Sequence, residues 1–393
     1  MKTEIDSKKL EEVLIRGVAN IYPSRQALEA ALMSGKKFRI YNGIDPTGKL
    51  HLGHLVVLRK LRQFQDLGHE IIILIGDFTA TIGDPTDKTA TRQPLTREQV
   101  LKNAKNYKRQ IAKFLDIKKP DIRFLCNSEW IKKLKPKDML ELASEFTVAR
   151  LLERDMFQER IRQGKDIRVH EFLYPIFQAY DSVAMDVDLE VGGNDQTFNM
   201  LAGRDLMKEI KNKEKFVMAL KLLTDQSGKK MGKTEGNMVN LDENPDQMFG
   251  RIMSWPDSLL EIGFELFTDI PLSAIKEILI NPREAKAKLA GEIVGICHGQ
   301  QVALRAEKEF DATFRDKKMP SKIPTIAVEE KEINILDLLI KTKMASSKAE
   351  ARRLIEQGGV VINDDVQKDW GKIVKIIKGE VIRVGKRRFA KII

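Results

Sequence analysis

Between residues 38 and 76 the apolar positions change rhythm twice. Phe38 to Ile44 is a largely apolar run of strand type. Asp45-Pro46-Thr47-Gly48 interrupts it with turn chemistry: proline fixes φ, glycine tolerates positive φ, and Asp and Thr bond to nearby backbone. From Gly53 onward Leu55, Leu58, Leu61, Phe64 and Leu67 recur at three-residue steps, the stripe of an amphipathic helix, with Gly68 as its stop signal. Glu70 to Gly76 then has the pattern of a fully buried strand. This order predicts a strand–helix–strand unit of a parallel sheet, with His51-Leu-Gly-His54 at the amino end of its helix.

Upstream, residues 1–35 carry a helical pattern through Leu10, Val13, Leu14, Val18, Ala27, Leu28, Ala31 and Leu32. Residues 97–165 are expected to be mostly helical: a polar helix from Thr96, a short strand Ile122–Cys126, and helices broken near Lys135-Pro136. In Glu171–Asp181, Tyr174, Gln178 and Asp181 fall at i, i+4 and i+7, one face of a helix. Pro175 fits that helix best in its first turn, which puts Tyr174 near the start. A strand from Leu189 ends at Gly192-Gly193, where missing side chains would let a nucleotide approach the backbone. From Pro245 to about Ala312 the pattern is helical again, with Met248, Ile252, Ile262, Phe264, Leu266 and Phe267 as core candidates. The proline-bearing stretch from Asp316 to Ile326 looks like a linker.

The chain has 393 residues, 42% hydrophobic and 32% charged, enough for two or three domains with their own cores. Its formal net charge of +11 favours a polyanionic partner. Cys126 and Cys297 are the only cysteines and form no C-x-x-C pair, which argues against a disulfide framework or a cysteine metal site. The start lacks an apolar signal core and no apolar run approaches membrane-spanning length, so the expectation is a cytoplasmic enzyme with no membrane contact.

The amino end of a helix offers unpaired N–H groups and about half a positive charge, and so attracts phosphate. Gly53 would let a nucleotide come close, and His51 and His54 can donate to phosphate oxygens as charge builds. As ordinary turn residues the two histidines would need no such role, but turn, helix start and buried strands agree on a nucleotide site. Downstream, Gly228-Lys-Lys-Met-Gly-Lys-Thr-Glu-Gly236 nearly matches a phosphate loop, but Ser227 stands at its first glycine and no helical pattern follows. A glycine-containing loop with Lys230 and Lys233 able to reach a polyphosphate remains, as does a plain solvated lysine run.

Together HLGH and KMGKT resemble the two signatures of class I aminoacyl-tRNA synthetases, and the residues between them are similar to tyrosyl-tRNA synthetases. The resemblance covers most of the chain and implies an α/β fold. A Rossmann-like catalytic domain with a helical insertion would span 1–224, and the KMGKT loop with a helical anticodon-side domain 225–315. A linker would cover 316–332, before a small α+β RNA-binding domain at 333–393. It implies tyrosine activation with ATP and Mg2+, then transfer to the terminal ribose of tRNA(Tyr), by a homodimer whose interface lies in the insertion. His51, His54, Lys230, Lys233 and Thr47 would be catalytic. Gly43, Asp45, Gly53, Gly193 and Asp195 would border ATP, with Lys88 and Arg92 near its phosphates. Tyr41 and Asp181 would bind the substrate's phenolic hydroxyl, and Asp84, Tyr174 and Gln178 its ammonium. Thr79 and Asn127 would lie near the tyrosine and Gln196 would face its carboxylate. Where many relatives continue with Trp-Gly, this chain has Thr197-Phe198.

Residues 333–393 hold 14 Lys/Arg against 7 Asp/Glu. Two short helices, the second ending at Gly358-Gly359, and strands at Val360 and Glu380 resemble the small RNA-binding domain shared with a ribosomal protein. Lys348, Arg352 and Arg353 would meet tRNA phosphates, contacts that set affinity and salt dependence. Two other readings compete: a tryptophanyl synthetase, disfavoured by the Tyr41/Asp181 pair and the basic terminus, and a non-catalytic RNA-binding protein, which leaves the nucleotide site unexplained.

Overall fold

The computed structural model describes residues 6–83, 96–224, 238–314, 323–328, 330–363, 365–385 and 388–393. The chain divides into two compact units, Met1–Leu304 and Arg305–Ile393. The boundary falls within the helix Gln300–Phe314.

The first unit is built on a six-stranded sheet of β1 (Val18–Tyr22), β2 (Arg39–Ile44), β3 (Glu70–Ile75), β4 (Ile122–Cys126), β5 (Leu189–Gly193) and β6 (Phe216–Leu220). Their spatial order is β1-β6-β5-β2-β3-β4, all neighbours parallel except the β1–β6 pair. From β2 the chain winds outward through β3 and β4, then returns to the other flank of β2 to build β5 and β6. The direction of winding therefore reverses between β2 and β5. In open parallel sheets, ligands bind beyond the carboxyl ends of the strands at this reversal. Here those ends are Gly43-Ile44 and Gly192-Gly193.

Two expectations need correction. The first 35 residues are two helices, Ser7–Ile15 and Arg25–Met33, separated by β1 rather than one helical stretch. Gly17 at φ +67° ends the helical path, and β1 finds its pairing partner in β6. Pro175 lies inside the helix Val169–Met185, beyond its first turn. The helix tolerates the lost N–H because its face is buried: Ile176, Ala179 and Val183 pack with Ala202, Leu206 and Met207 of the helix Thr197–Lys211.

Between β6 and the unit's end, the helices Pro245–Met253, Leu260–Phe267, Leu272–Ile278 and Pro282–His298 bury Met248, Ile252, Phe264, Leu266 and Phe267. Ile262 is only half-buried.

The second unit has its own core, with Ile335, Leu338, Ile355, Val360, Ile382 and Ile392 among its members. Helices Ile335–Lys341 and Lys348–Glu356 accompany β7 (Thr325–Ile326), β8 (Glu332–Asn334), β9 (Val360–Ile362), β10 (Asp365–Gln367), β11 (Ile373–Lys375), β12 (Val381–Val384) and β13 (Arg388–Ile392). β7 pairs in parallel with β13, and Val328 joins the core. Residues 325–328, expected in the linker, thus belong to this unit's fold.

Candidate active site

The helix Leu52–Asp66 starts with both histidines serving its own backbone. His51 is the N-cap, and its Nδ1 accepts the Gly53 N–H at 3.1 Å. His54 Nδ1 accepts the His51 N–H at 3.2 Å, closing a reciprocal capping box. An imidazole that accepts at Nδ1 carries its proton on Nε2 when neutral. The caps therefore set both rings as Nε2 donors, with centroids 4.1 Å apart. A Cβ on Gly53 would lie 3.0 Å from the His51 ring, close enough that the ring would have to shift. Tyr107 supports the preceding turn: its hydroxyl oxygen accepts the Gly48 N–H at 3.3 Å.

The turn is pinned from the other side by the chain that follows the KMGKT segment. Leu52 N–H donates to Val239 C=O at 3.1 Å, and Leu241 N–H to Leu50 C=O at 2.9 Å. Leu223 and Met238, which flank residues 225–237, line one cleft with His51, Gly53 and Gly193. Lys230 and Lys233 themselves lie outside the described residues, as do Asp84, Lys88 and Arg92.

A second cluster lies at the carboxyl ends of β2 and β3. Asp45 accepts from Thr79 Oγ1 at 2.7 Å and from the Tyr174 hydroxyl at 2.9 Å. Gly76 makes this possible: a Cβ there would fall 1.9 Å from Asp45 Oδ1 and 2.4 Å from Thr79 Oγ1. Thr79 accepts in turn from Asn127 Nδ2 at 3.1 Å, and the same nitrogen reaches Asp181 at 3.3 Å. Asn127 is held by the Phe78 N–H on its Oδ1 at 2.9 Å. Asp181, 2% exposed, also accepts from Trp130 Nε1 at 2.7 Å. One hydrogen-bonded chain thus joins Tyr174, Asp45, Thr79, Asn127 and Asp181. Burial pushes the Asp181 carboxyl well above the usual carboxylate range, while the Trp130 and Asn127 donors pull it back.

Asp45 therefore sits with the ammonium-side candidate Tyr174 as well as beside the turn that precedes HLGH. Thr47 stays in that turn, its N–H donating to Asp45 C=O at 2.7 Å. Gly43 lies exposed near the end of β2. Tyr41 is fully buried on the same strand, its hydroxyl 2.8 Å from Ser182 Oγ. Burial, with the nearby Glu190 charge, keeps the Tyr41 phenol protonated by raising its pKa. Gln178 Nε2 donates to Glu190 Oε1 at 3.3 Å.

At the end of β5 the glycines make room for side chains as much as for a ligand. A Cβ on Gly193 would lie 2.5 Å from Asp195 Oδ1, and one on Gly192 would lie 2.9 Å from Met200 Sδ. Gln196 Oε1 accepts from Asn199 Nδ2 at 2.9 Å. Phe198 lies under the Arg154 guanidinium at 5.6 Å.

Four participants escaped the sequence reading: Trp130, Ser182, Glu190 and Lys215. The last three had a signal: Ser182 adjoins Asp181, Glu190 interrupts an apolar strand, and Lys215 directly precedes the apolar β6. Trp130 had none beyond its nearness to Asn127. Among the described residues, no cluster of His, Cys, Asp or Glu could hold a metal ion, and no helix is long and apolar enough to cross a membrane.

In the second unit, Lys348 pairs with Asp337 at 2.6 Å and Arg352 with Glu356 at 2.8 Å. The Arg352 guanidinium lies 4.5 Å from the Trp370 ring centroid, and Arg353 is exposed. Exposed pairs of this kind contribute little to stability, so the cations remain available to exchange partners.

Residues 33–315 match the family of class I tRNA synthetases described as W and Y, and residues 316–392 match the tyrosine–tRNA ligase SYY-like C-terminal domain. The tyrosine–tRNA ligase of Carboxydothermus hydrogenoformans is 45% identical, covering 98% of each chain. That of Thermotoga maritima is 44% identical over 97% of this chain and 96% of its own. Among solved structures, a C-terminally truncated Coccidioides posadasii mitochondrial tyrosyl-tRNA synthetase aligns with TM-score 0.61 at 27% identity, covering 76% of this chain and 91% of that one. The Archaeoglobus fulgidus tyrosyl-tRNA synthetase, solved with L-tyrosine, shares the fold at TM-score 0.62 and 21% identity, covering 77% and 99%. Matched from its catalytic sheet through its basic terminal unit, the chain belongs to the tyrosine–tRNA ligase family of class I tRNA synthetases.

Proposed function

We propose that this chain activates tyrosine with Mg-ATP and transfers it to the terminal ribose of tRNA(Tyr). The observation that carries the reading is the hydrogen-bonded chain from Asp181 to Asp45 and Tyr174 beyond the carboxyl ends of β2, β3 and β4. It offers a buried acceptor at one end, suited to a phenolic hydroxyl, and a carboxylate beside a phenol at the other, suited to an ammonium. Asp84 would complete the ammonium site, and Gln196 would lie by the substrate carboxylate.

The carboxylate of tyrosine is already a nucleophile, so attack on the α-phosphorus needs no general base. Catalysis is then a matter of alignment and charge stabilisation. The Nε2 donors of His51 and His54 would meet the developing charge on the phosphate oxygens, with Thr47 beside them. Lys230 and Lys233 would meet the leaving pyrophosphate. Gly43, Gly53, Gly193 and Asp195 would border the nucleotide, and Lys88 and Arg92 its phosphates. Magnesium enters with ATP as part of the substrate.

Lys348, Arg352 and Arg353 would contact tRNA phosphates, and the protein would work as a cytoplasmic homodimer. The domain limits proposed are 1–224 and 225–315, with a linker from 316 and a terminal domain that begins at β7 and runs through 393. Mixing the enzyme with tyrosine and Mg-ATP, without tRNA, tests the first step. A tyrosyl-adenylate that co-elutes with the protein on gel filtration is expected, and its absence with tyrosine but presence with tryptophan would reverse the substrate assignment.

A further inference from the structure

Beneath the tyrosine-side pocket lies a lysine that the two-step reaction does not use. Lys215, fully buried, enters from the residue before β6. Its ammonium donates to Ser182 Oγ at 2.8 Å, to Met200 C=O at 3.1 Å, and to Glu190 Oε2. The space is made for it: a Cβ on Gly203 would fall 2.6 Å from Lys215 Nζ and 2.8 Å from Ser182 Oγ. Each acceptor but the Met200 carbonyl touches a residue of the pocket. Ser182 Oγ is 2.8 Å from the Tyr41 hydroxyl, and Glu190 Oε1 accepts from Gln178 Nε2 at 3.3 Å.

We infer that Lys215 is a positioning residue for tyrosine selection, acting through Ser182 on Tyr41 and through Glu190 on Gln178. Hydrogen-bond polarity links the lysine to the pocket. An ammonium can only donate, so Ser182 Oγ must accept from Lys215. In this arrangement the serine's own proton goes to the Tyr41 oxygen, and the Tyr41 proton, for which Glu190 is the competing acceptor inside the protein, is given toward the pocket. A substrate phenol would accept that proton and pass its own to Asp181, whose other bonds are all accepted from Trp130 and Asn127. Without the ammonium the serine loses the donor that biases it, and Tyr41 would more readily donate backward to Ser182 and present a lone pair to the substrate instead. At the other end, Glu190 engages the Gln178 nitrogen, which turns the carboxamide oxygen away from it as an acceptor for the substrate ammonium. One buried cation thereby sets the polarity of both ends of the amino-acid site.

This inference rests on the tyrosine reading. The test is ATP–pyrophosphate exchange with tyrosine and with phenylalanine, measured on wild type, Ser182→Ala and the charge-neutral double variant Lys215→Met/Glu190→Gln. Ser182→Ala cuts the relay to Tyr41 while keeping the buried ion pair. The double variant removes both charges, so that no lone buried carboxylate is left to unfold the protein. In Ser182→Ala the ratio of kcat/KM for tyrosine over phenylalanine should fall about tenfold, the equivalent of one polarity-matched hydrogen bond. In the double variant KM for tyrosine should also rise by about tenfold or more, with KM for ATP unchanged. A purely structural role would lower both substrates equally and leave the ratio alone, which would overturn the inference. An unchanged ratio in both folded variants overturns it too. Failure of the wild type to exchange with tyrosine at all would instead sink the substrate reading, and this inference with it.

Discussion

Asp181→Asn perturbs the pocket floor with almost no change of shape. In the wild type the carboxylate accepts from Trp130 Nε1 at 2.7 Å and Asn127 Nδ2 at 3.3 Å, and under the proposed function a substrate hydroxyl becomes a third donor. An amide keeps one acceptor oxygen and replaces the other by a donor. With its oxygen toward Trp130, the new NH2 meets the Asn127 NH2 donor against donor and can no longer accept the substrate hydroxyl's proton. Tyrosine then loses a charge-assisted bond of about 1.5–3 kcal/mol. That corresponds to roughly 10- to 150-fold in kcat/KM for tyrosine in ATP–pyrophosphate exchange. Phenylalanine has no hydroxyl to lose, so its kcat/KM should hold or improve as the buried charge disappears. The selectivity for tyrosine should therefore shrink by nearly the whole loss. Equal falls for both amino acids, in a protein whose Tm is unchanged, would remove Asp181 from the hydroxyl-binding role.

Two further outcomes concern stability and the division of labour. His69 is buried with Nδ1 accepting the Phe38 N–H, and burial, helped by the Lys37 charge, lowers its pKa from 6.5 to about 4. The unfolded chain therefore binds the extra proton first, and stability should fall as pH drops from about 6.5 to 4, by on the order of 3 kcal/mol. His69→Asn, an acceptor that does not titrate, should flatten that part of the curve in urea unfolding; an unchanged slope would clear His69 of the effect. Cutting the chain near residue 320, ahead of β7, keeps the second unit's own strand with it. The remaining catalytic unit should form tyrosyl-adenylate at a near-normal rate but charge tRNA poorly. The full chain should lose tRNA affinity more steeply with salt. Intact charging after the cut would deny the basic unit its role.

The central strand–helix–strand unit was legible because three independent signals agree there: a buried strand pattern, turn residues at Asp45–Gly48 and a clean helical stripe from Leu55. The helix Val169–Met185 was legible as a face, since Tyr174, Gln178 and Asp181 do share it, but not in its extent. Locally Pro175 marks a helix boundary, and the burial that offsets its missing hydrogen bond is tertiary information. β1 and β6 were missed for a related reason. Each is five residues long, and β1 acquires its strand character only by pairing with β6, distant in sequence. At the site, Asp45 was placed by its turn and so by the nucleotide. Its bonds to Thr79 and Tyr174 depend on the close approach that Gly76 permits, which no local pattern announces. Lys215 is the sharpest case. Its place just before the apolar β6 is the one local hint; a lysine among charged neighbours otherwise looks like solvated surface, and only Gly203 and Ser182 from other helices make a buried site for it.

The claim on which the rest depends is that the pocket selects tyrosine and activates it before tRNA is involved. ATP–pyrophosphate exchange, run without tRNA and with each of the standard amino acids in turn, measures this directly. Exchange above background with tyrosine alone is the predicted result. Exchange with tryptophan in its place, or with no amino acid at all, would contradict it.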